Sequence, residues 1–268
     1  MRASLITLFV AAFAVSTGCE STDKNADTGA DTGADLFGGE GEGEGEGAGT
    51  CGGQGVLVHY KEGGDPEDVF AYQAALSLGM DVRATKHDED FVAELTTNPP
   101  ALLIIDAPVA RPDDEEVLPH VQDFLDTGNP ALIGISDLHR DTPWNEVLGV
   151  DGDDQWDSRE IYAAPGADTN LFAGEQQFPE GMRGPSSSWA IDGHALTSRD
   201  GSGVPLAVFD STDGSEVAIM SMRDGQLIVN GLFGDVFKRV DNDEDELPDA
   251  MELYVNEIMY VTGCTPAE

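Results

Sequence analysis

Two apolar runs decide the fold: ALLIID at residues 101–106 and ALIGIS at residues 131–136. Nearly every position in each run is apolar, which is typical of strands buried on both faces of a parallel sheet. The segment between them carries apolar residues at helical spacing and ends at Gly128, a common helix-stop residue. A strand, a helix and a second strand in this order predict one parallel crossover unit.

The same alternation continues toward the N-terminus. GVLVHY at residues 55–60 predicts another buried strand, and Pro66 opens a predicted helix that ends before Gly79. Residues 81–86 predict a short strand, and residues 88–95 predict a second helix. Strand and helix therefore alternate with short connections, which predicts a parallel sheet with helices on both of its faces.

The C-terminal half has a different pattern. Residues 141–202 are rich in loops, and three strands are predicted at residues 205–209, 216–222 and 226–232, the last two joined by the hairpin signal RDG. A closing helix is predicted at about residues 247–261. The predicted fold is α/β, with a mostly parallel sheet flanked by helices in a flavodoxin-like three-layer arrangement, a late antiparallel hairpin and a loop-rich middle.

The charge of the chain excludes several classes of partner. Its 268 residues carry 52 acidic and 13 basic side chains, a formal net charge of −39. Nucleic acid needs a basic surface to neutralise its phosphates, so it is excluded as a partner. Anionic lipid head groups are repelled for the same reason, and cations are the natural counterparts.

The N-terminus predicts export. Residues 1–18 form a signal peptide in which Arg2 precedes a short apolar run. The following Ser16-Thr17-Gly18-Cys19 resembles a bacterial lipobox, in which the cysteine is acylated, although an aliphatic residue is usual where Ser16 stands. We expect an extracytoplasmic protein attached to a bacterial membrane, periplasmic or at the cell surface, through lipid on Cys19. Ordinary secretion is the alternative, and no second apolar run is long enough to span a bilayer.

Residues 19–53 predict a lipid anchor site followed by a disordered acidic tether. They contain the repeat ADTGADTG at residues 26–33 and a Gly-Glu alternation at residues 39–47, with few apolar side chains to bury. An acidic recognition tail is the alternative. The folded domain is expected at residues 54–264, and residues 265–268 form a short tail.

The cysteines predict one disulfide. If Cys19 carries lipid, Cys51 and Cys264 remain, in a compartment where disulfides persist. The first strand begins at the amino-terminal edge of the predicted sheet, and the closing helix returns to that edge. Cys51 and Cys264 should therefore be neighbours and form a bridge that closes the domain at its ends.

The order of elements resembles the class I glutamine amidotransferase-like superfamily, in a diverged extracytoplasmic branch. The resemblance covers about residues 54–263 and rests on the strand order, on FLDTGN at residues 124–129 before a strand, and on the late hairpin before the final helix. In active family members a Gly-x-Cys-x-Gly turn exposes a nucleophilic cysteine. Here GISDLH at residues 134–139 has Ser136 in place of that cysteine and Leu138 in place of the second glycine.

The resemblance implies a catalytically degenerate domain that acts as a binding or structural module, since no cysteine stands at the nucleophile position. The first alternative is a serine hydrolase that uses Ser136 with His139 or His194 as its base. In the degenerate reading, the Ser136 hydroxyl only caps a loop.

Polar residues are expected at the carboxyl ends of the strands, where α/β sheets bind ligands. His59, Asp106 and Asp137 are the candidates at this edge, and Asp106, Asp137 and His139 could hold zinc or manganese. Ordinary polar loop residues are the alternative. The loop-rich middle also contains aromatic residues that could line a groove for a glycan or peptide or cap a small core: Trp144, Trp156, Phe172, Phe178 and Trp189.

The segment DNDEDELPDAME at residues 241–252 resembles the acidic calcium loops of secreted bacterial proteins. Its predicted calcium ligands are Asp241, Asp243, Asp245, Asp249 and Glu252. Glu246 stands where most such loops have glycine, which weakens the match. The alternative is that these acids only favour the start of the closing helix. A calcium-stabilised structural envelope module is thus a further functional hypothesis.

Overall fold

The structure is a computed structural model that covers most of the folded domain. It describes residues 49–61, 64–108, 110–153, 160–167, 171–173, 176, 182–183, 193–209, 214–232, 241 and 244–266. The predicted signal peptide, Cys19 and nearly all of the predicted tether lie outside these residues. The described residues belong to one compact unit, Gly45–Glu268.

The described part of this unit contains a mixed sheet of eleven strands and five α-helices. The strands are β1 (Gly55–Tyr60), β2 (Asp81–Thr85), β3 (Leu102–Ala107), β4 (Ala131–Ile135), β5 (Val150–Gly152), β6 (Glu160–Ala163), β7 (Met182–Arg183), β8 (Leu196–Ser198), β9 (Val204–Phe209), β10 (Val217–Met222) and β11 (Leu227–Asn230). The helices are α1 (Phe70–Ser77), α2 (Asp88–Thr97), α3 (Leu118–Asp126), α4 (Pro143–Leu148) and α5 (Asp249–Thr262).

The main strand order is β2-β1-β3-β4-β11-β10-β9-β6-β7. Neighbours from β2 to β11 in this order are parallel, and those from β11 to β7 are antiparallel. Strands β5 and β8 form a separate antiparallel pair, which joins the sheet through a single pairing of β8 with β10. The predicted flavodoxin-like α/β fold, with its late hairpin, is confirmed.

Two apolar layers cover the sheet and explain its fully apolar strands. Ile104 of β3 packs in the layer that contains α1 and α5, whereas its neighbours Leu103 and Ile105 pack in the layer that contains α2, α3 and α4. All three side chains are completely buried. Burial of each such side chain contributes roughly 1.5–3 kcal/mol, so these central strands are a main source of stability.

Two helix boundaries differ from the sequence prediction for local reasons. The helix expected from Pro66 is split into a 3-10 turn, Pro66–Asp68, and α1, because Val69 between them is extended. The closing helix starts at Asp249 rather than near residue 247, because Pro248 is extended and a proline disfavours helical backbone in the residue before it.

The loop-rich middle contains a helix that the sequence prediction missed. Helix α4 begins with Pro143 and is capped by Thr142, whose backbone amide and hydroxyl both donate to Asn145 Oδ1 at 2.8 Å. Trp144 is fully buried in the apolar layer of α2 and α3, and Phe172 is 4% exposed in the opposite layer, so both are core residues. The other aromatic residues predicted for a groove, Trp156, Phe178 and Trp189, lie outside the described residues.

The two ends of the domain are joined covalently. Cys51 and Cys264 form a disulfide with a Cα–Cα distance of 5.0 Å, as predicted. Backbone hydrogen bonds from Cys51 N to Thr265 O (2.8 Å) and from Thr265 N to Gly49 O (3.1 Å) flank the bridge. Both ends of the described domain therefore meet at the amino-terminal edge of the parallel strands.

Candidate functional site

The carboxyl ends of β1, β3, β4 and β11 meet at one edge of the sheet, and the sequence candidates follow these ends. Because side chains alternate along a strand, these candidate residues face opposite sides of the sheet. His59 at the end of β1 packs on Phe91 of α2, at 4.5 Å between ring centroids. Asp106 of β3 acts electrostatically on Glu257 of α5, so it faces the other layer. The predicted edge residues thus form two separate clusters.

The turn after β4 places Ser136 where the resemblance expects a nucleophile. The Ser136 amide donates to Ala107 O at 3.0 Å, and its side chain is 7% exposed. Its hydroxyl has no hydrogen-bond partner among the described residues. The next residue, Asp137, adopts the left-handed conformation (φ 66°), which is uncommon for a residue with a side chain.

Leu138, which stands where active family members have glycine, is fully accommodated. It opens the 3-10 turn Leu138–Arg140 and is 1% exposed. Gly152 of β5 makes the space, because a Cβ atom at residue 152 would lie 2.9 Å from the Leu138 Cβ. The turn is therefore packed against β5 through a leucine, which explains why a tight glycine elbow is not needed here.

His139 and His194 are brought together, with their ring centroids 5.1 Å apart. His194 is 1% exposed, and its Nδ1 donates to the Asp153 carbonyl oxygen at 2.7 Å. Burial lowers the pKa of His194; the Asp153 hydrogen bond opposes this effect and nearby His139 adds to it. His139 Nε2 accepts from Arg140 Nε at 3.1 Å. Neither imidazole is hydrogen-bonded to the Ser136 hydroxyl, so the described residues do not form a Ser-His pair.

His59 is a structural residue rather than an open ligand group. Its Nε2 donates to Asp88 Oδ1 at 3.0 Å, so its Nδ1 accepts from the Thr85 hydroxyl at 3.2 Å. Lys61 Nζ also lies 2.5 Å from Asp88 Oδ1. Burial lowers the pKa of His59 to about 4, although the neighbouring Asp88 carboxylate favours the protonated imidazole. His59 is therefore neutral near pH 7 and links β1, β2 and α2.

The sequence analysis missed Glu257 of α5, the most perturbed group at this edge. It is completely buried, and its Oε1 accepts from Asn230 Nδ2 at 3.0 Å. Burial, with a contribution from Asp106, raises the pKa of Glu257 to about 8, although the Asn230 hydrogen bond opposes the shift. Glu257 is therefore mostly protonated at neutral pH. The available signal was its position three residues after Tyr254 and four before Val261, on the apolar stripe of α5.

A charged cavity of about 400 Å³ lies beside the turn after β4. Its lining residues are Arg111, Pro112, Asp113, Asp114, Glu115 and Asp137. An Arg111 guanidinium nitrogen, Nη2, donates to Asp114 Oδ2 at 2.9 Å. Arg111 Nε and Asp114 Oδ1 are buried and have no hydrogen-bond partner among the described residues. This cavity has polar groups able to contact a ligand, and its acids outnumber its single base.

Most of the residues predicted to bind a metal ion are described by the structure. Within the described ranges, no three His, Cys, Asp or Glu side chains are placed to hold a metal ion, so Asp106, Asp137 and His139 do not form a metal set. No ordered helix in these ranges has the length and apolar character needed to cross a membrane.

In the acidic segment before α5, one carboxylate is hydrogen-bonded to two backbone amides. Asp241 accepts hydrogen bonds from the amides of Asp245 (3.2 Å) and Glu246 (3.1 Å). Asp249 and Glu252 are 0% and 1% exposed in the first turn of α5. Asp243 lies outside the described residues. Calcium binding by this loop therefore stays a prediction, for which a calcium-dependent melting temperature is the test.

Several solved structures have a similar fold. A protein described as ThuA-like from Bacteroides uniformis superimposes with a TM-score of 0.53 at 12% identity, over 78% of this chain and 91% of that one. A glutamine amidotransferase from Thermotoga maritima superimposes with a TM-score of 0.49 at 13% identity, over 78% of this chain and 98% of that one. An alpha-L-fucosidase from Paenibacillus thiaminolyticus gives 0.48 at 12%, over 79% of this chain and 33% of that chain.

No family model and no curated protein matches the chain. At 12% identity the ThuA-like structure shows a shared fold and nothing about activity. The domain is thus an α/β protein whose fold is similar to that of the ThuA-like structure.

Proposed function

We propose that this protein is a lipid-anchored bacterial envelope protein whose amidotransferase-like domain is catalytically degenerate and binds a ligand or an envelope partner. The observation that carries the proposal is the state of Ser136. The residue stands at the nucleophile position but is 7% exposed, and its hydroxyl is buried with no hydrogen-bond partner among the described residues. A serine needs an adjacent base to become a nucleophile, so this arrangement favours binding over catalysis.

The charged cavity supports a binding role at the same edge. Asp137 belongs both to the turn after β4 and to the cavity lining, next to Arg111 and Asp114. Buried polar atoms without protein partners are usually satisfied by water, an ion or a ligand. The cavity is therefore the site at which we expect the ligand of the degenerate domain to bind.

Assays of ester, amide and glutamine hydrolysis test the loss of catalysis. The wild-type protein should show no activity above the buffer rate, and Ser136→Ala should behave identically. Ser136→Cys restores the thiol found in active family members, and it should also be inactive, because no base contacts this position among the described residues. Hydrolysis by the wild type that disappears in Ser136→Ala would establish the serine hydrolase alternative instead.

Cell fractionation tests the anchor. The wild-type chain, expressed in a bacterium, should sediment with membranes, and its N-terminal peptide should carry acyl groups on Cys19 by mass spectrometry. Cys19→Ser should move the protein to the soluble extracytoplasmic fraction, whereas Ser21→Ala should leave it in the membrane fraction. Wild-type protein that is soluble and unacylated would support ordinary secretion.

A further inference from the structure

A second cavity lies at the opposite, amino-terminal edge of the parallel strands. It measures about 220 Å³ and is bordered by β9, β10, the turn Arg223–Gly225 and the end of α5. Strand β10 is antiparallel to β11, and its last residue, Met222, pairs with Leu227 at the start of β11. The cavity is therefore distinct from the proposed site at the carboxyl ends of the strands.

The lining of this cavity combines apolar and polar groups. Its apolar residues are Val204, which is 51% exposed, and Leu206, which is 1% exposed. Its hydroxyl groups belong to Ser202, Ser221 and Tyr260. Ser221 is only 2% exposed, and its Oγ lies 3.1 Å from the Tyr260 hydroxyl. The cavity thus offers both apolar surface and hydroxyl groups, and its buried serine is held by a second lining residue.

The charge of the cavity restricts its ligand. Asp224 is its charged lining residue, and no Lys or Arg borders it among the described residues. The adjacent Arg223 is directed elsewhere, donating to Asp126 Oδ1 at 2.9 Å and to the Val147 carbonyl oxygen at 3.2 Å. Hydroxyl groups donate or accept hydrogen bonds, whereas a carboxylate only accepts them. A ligand must therefore offer donors to Asp224, and an anion would be repelled.

The size of the cavity restricts the ligand further. Pockets for drug-sized molecules measure roughly 300–1,000 Å³, so a cavity of about 220 Å³ suits one small ring or a short chain. Gly225 lies beside the phenol, since a Cβ atom there would be in ordinary van der Waals contact, 3.9 Å from the Tyr260 hydroxyl. Its φ of 90° also disfavours residues with side chains.

We propose that this cavity binds a small neutral polyol or monosaccharide. The C–H face of such a molecule packs against Val204 and Leu206. Its hydroxyl groups donate to the Asp224 carboxylate and exchange hydrogen bonds with Ser221 and Tyr260. This assignment uses both the apolar and the hydroxyl-bearing residues of the lining, whereas an ammonium ion would use chiefly the single carboxylate.

Saturation-transfer NMR on the purified full chain tests the site with glucose, galactose, myo-inositol and glycerol. Each probe is used at about 10 mM, which is roughly tenfold above the dissociation constant of about 1 mM that we expect for such a small ligand. At least one probe should receive saturation. Tyr260→Phe removes one neutral hydrogen bond and should weaken binding about fivefold. Ser202→Phe fills the cavity from its exposed rim and should abolish the signal.

Ser77→Phe is the matched control, because Ser77 is also exposed but lies on α1, away from the cavity lining. It should bind like the wild type, and the melting temperatures of all three variants verify folding. Absence of transfer to every probe, or full transfer in Ser202→Phe, would overturn the proposal. So would binding of ethanolamine in place of the polyols with an affinity that falls as salt is added, since that dependence marks an ionic contact.

Discussion

Replacing Glu257 with glutamine should stabilise the domain at pH 8 and leave its stability at pH 4.5 nearly unchanged. The folded-state pKa of about 8 lies above the ordinary glutamate value of 4.5 that applies to an unfolded chain. The native state therefore holds a proton that the unfolded state has released, and stability falls as pH rises from about 4.5 to about 8. The loss is at most about 1.4 kcal/mol for each pH unit.

The glutamine variant keeps the shape of Glu257 and the acceptor for Asn230 Nδ2, but it has no proton to lose. Thermal melts across pH 4.5–9 should show a gap between variant and wild type that widens with pH. Each 1 kcal/mol is expected to shift the melting temperature by roughly 2–4 °C in a domain of this size. Glu116→Gln, at an exposed position, is the matched control and should show no such widening. A gap that is constant across pH would mean that Glu257 is ionised in the fold.

His59 acts in the opposite direction at lower pH. Its folded-state pKa of about 4 lies below the ordinary histidine value of 6.5. The contribution of neutral His59 to the stability of the fold is therefore complete above pH 6.5. It is lost as pH falls from 6.5 toward 4, because the unfolded chain then binds a proton that the fold excludes. Between about pH 4.5 and 6.5 the slopes from His59 and Glu257 oppose each other, so these two groups together favour a mildly acidic stability maximum.

Removing the Cys51–Cys264 bridge should lower the melting temperature by roughly 10–20 °C. The bridge closes a loop with a sequence separation of 213 residues, and loop-closure entropy assigns about 5 kcal/mol to such a crosslink as an upper estimate. Reduction of the wild type and the Cys51→Ser/Cys264→Ser variant should show similar losses. Non-reducing mass spectrometry should find both thiols oxidised in the untreated protein.

Cys19→Ser is the control for this measurement, because it removes a cysteine without breaking the bridge. Its melting temperature should equal that of the wild type, and reduction should destabilise it by the same amount. If the double variant melts at the wild-type temperature, the bridge restrains a denatured state that is already compact, and loop entropy is the wrong account.

The central fold could be predicted because its signals are local. Residues 101–106 show burial on both faces within six positions, and β3 forms there with a shift of one residue. Strands β5 and β8 could not be predicted in the same way, because each is three residues long and they pair across more than forty positions. Their stability comes from distant contacts, such as that of Arg199 with Asp151 at 2.7 Å.

In the candidate site, too, some features follow from the local sequence and others depend on distant contacts. The position of Ser136 at the end of β4 follows from strand alternation and a turn, so the sequence was sufficient to place it. The role of His59 depends on Asp88, which is 29 residues away, and the burial of Glu257 depends on Asn230, which is 27 residues away. A sequence pattern identifies such residues as polar, but only the packed layers determine whether they face a ligand or the core.

The covalent link between the two ends of the folded domain also determines how the domain carries mechanical load. A pull on the segment before Gly49 reaches Cys51 and passes through the covalent bridge into Cys264 and α5. Tension is therefore divided between α5 and β1, instead of peeling β1 from the sheet one hydrogen bond at a time. A protein pulled from its N-terminal side while holding a partner at the far edge would resist extension as one unit.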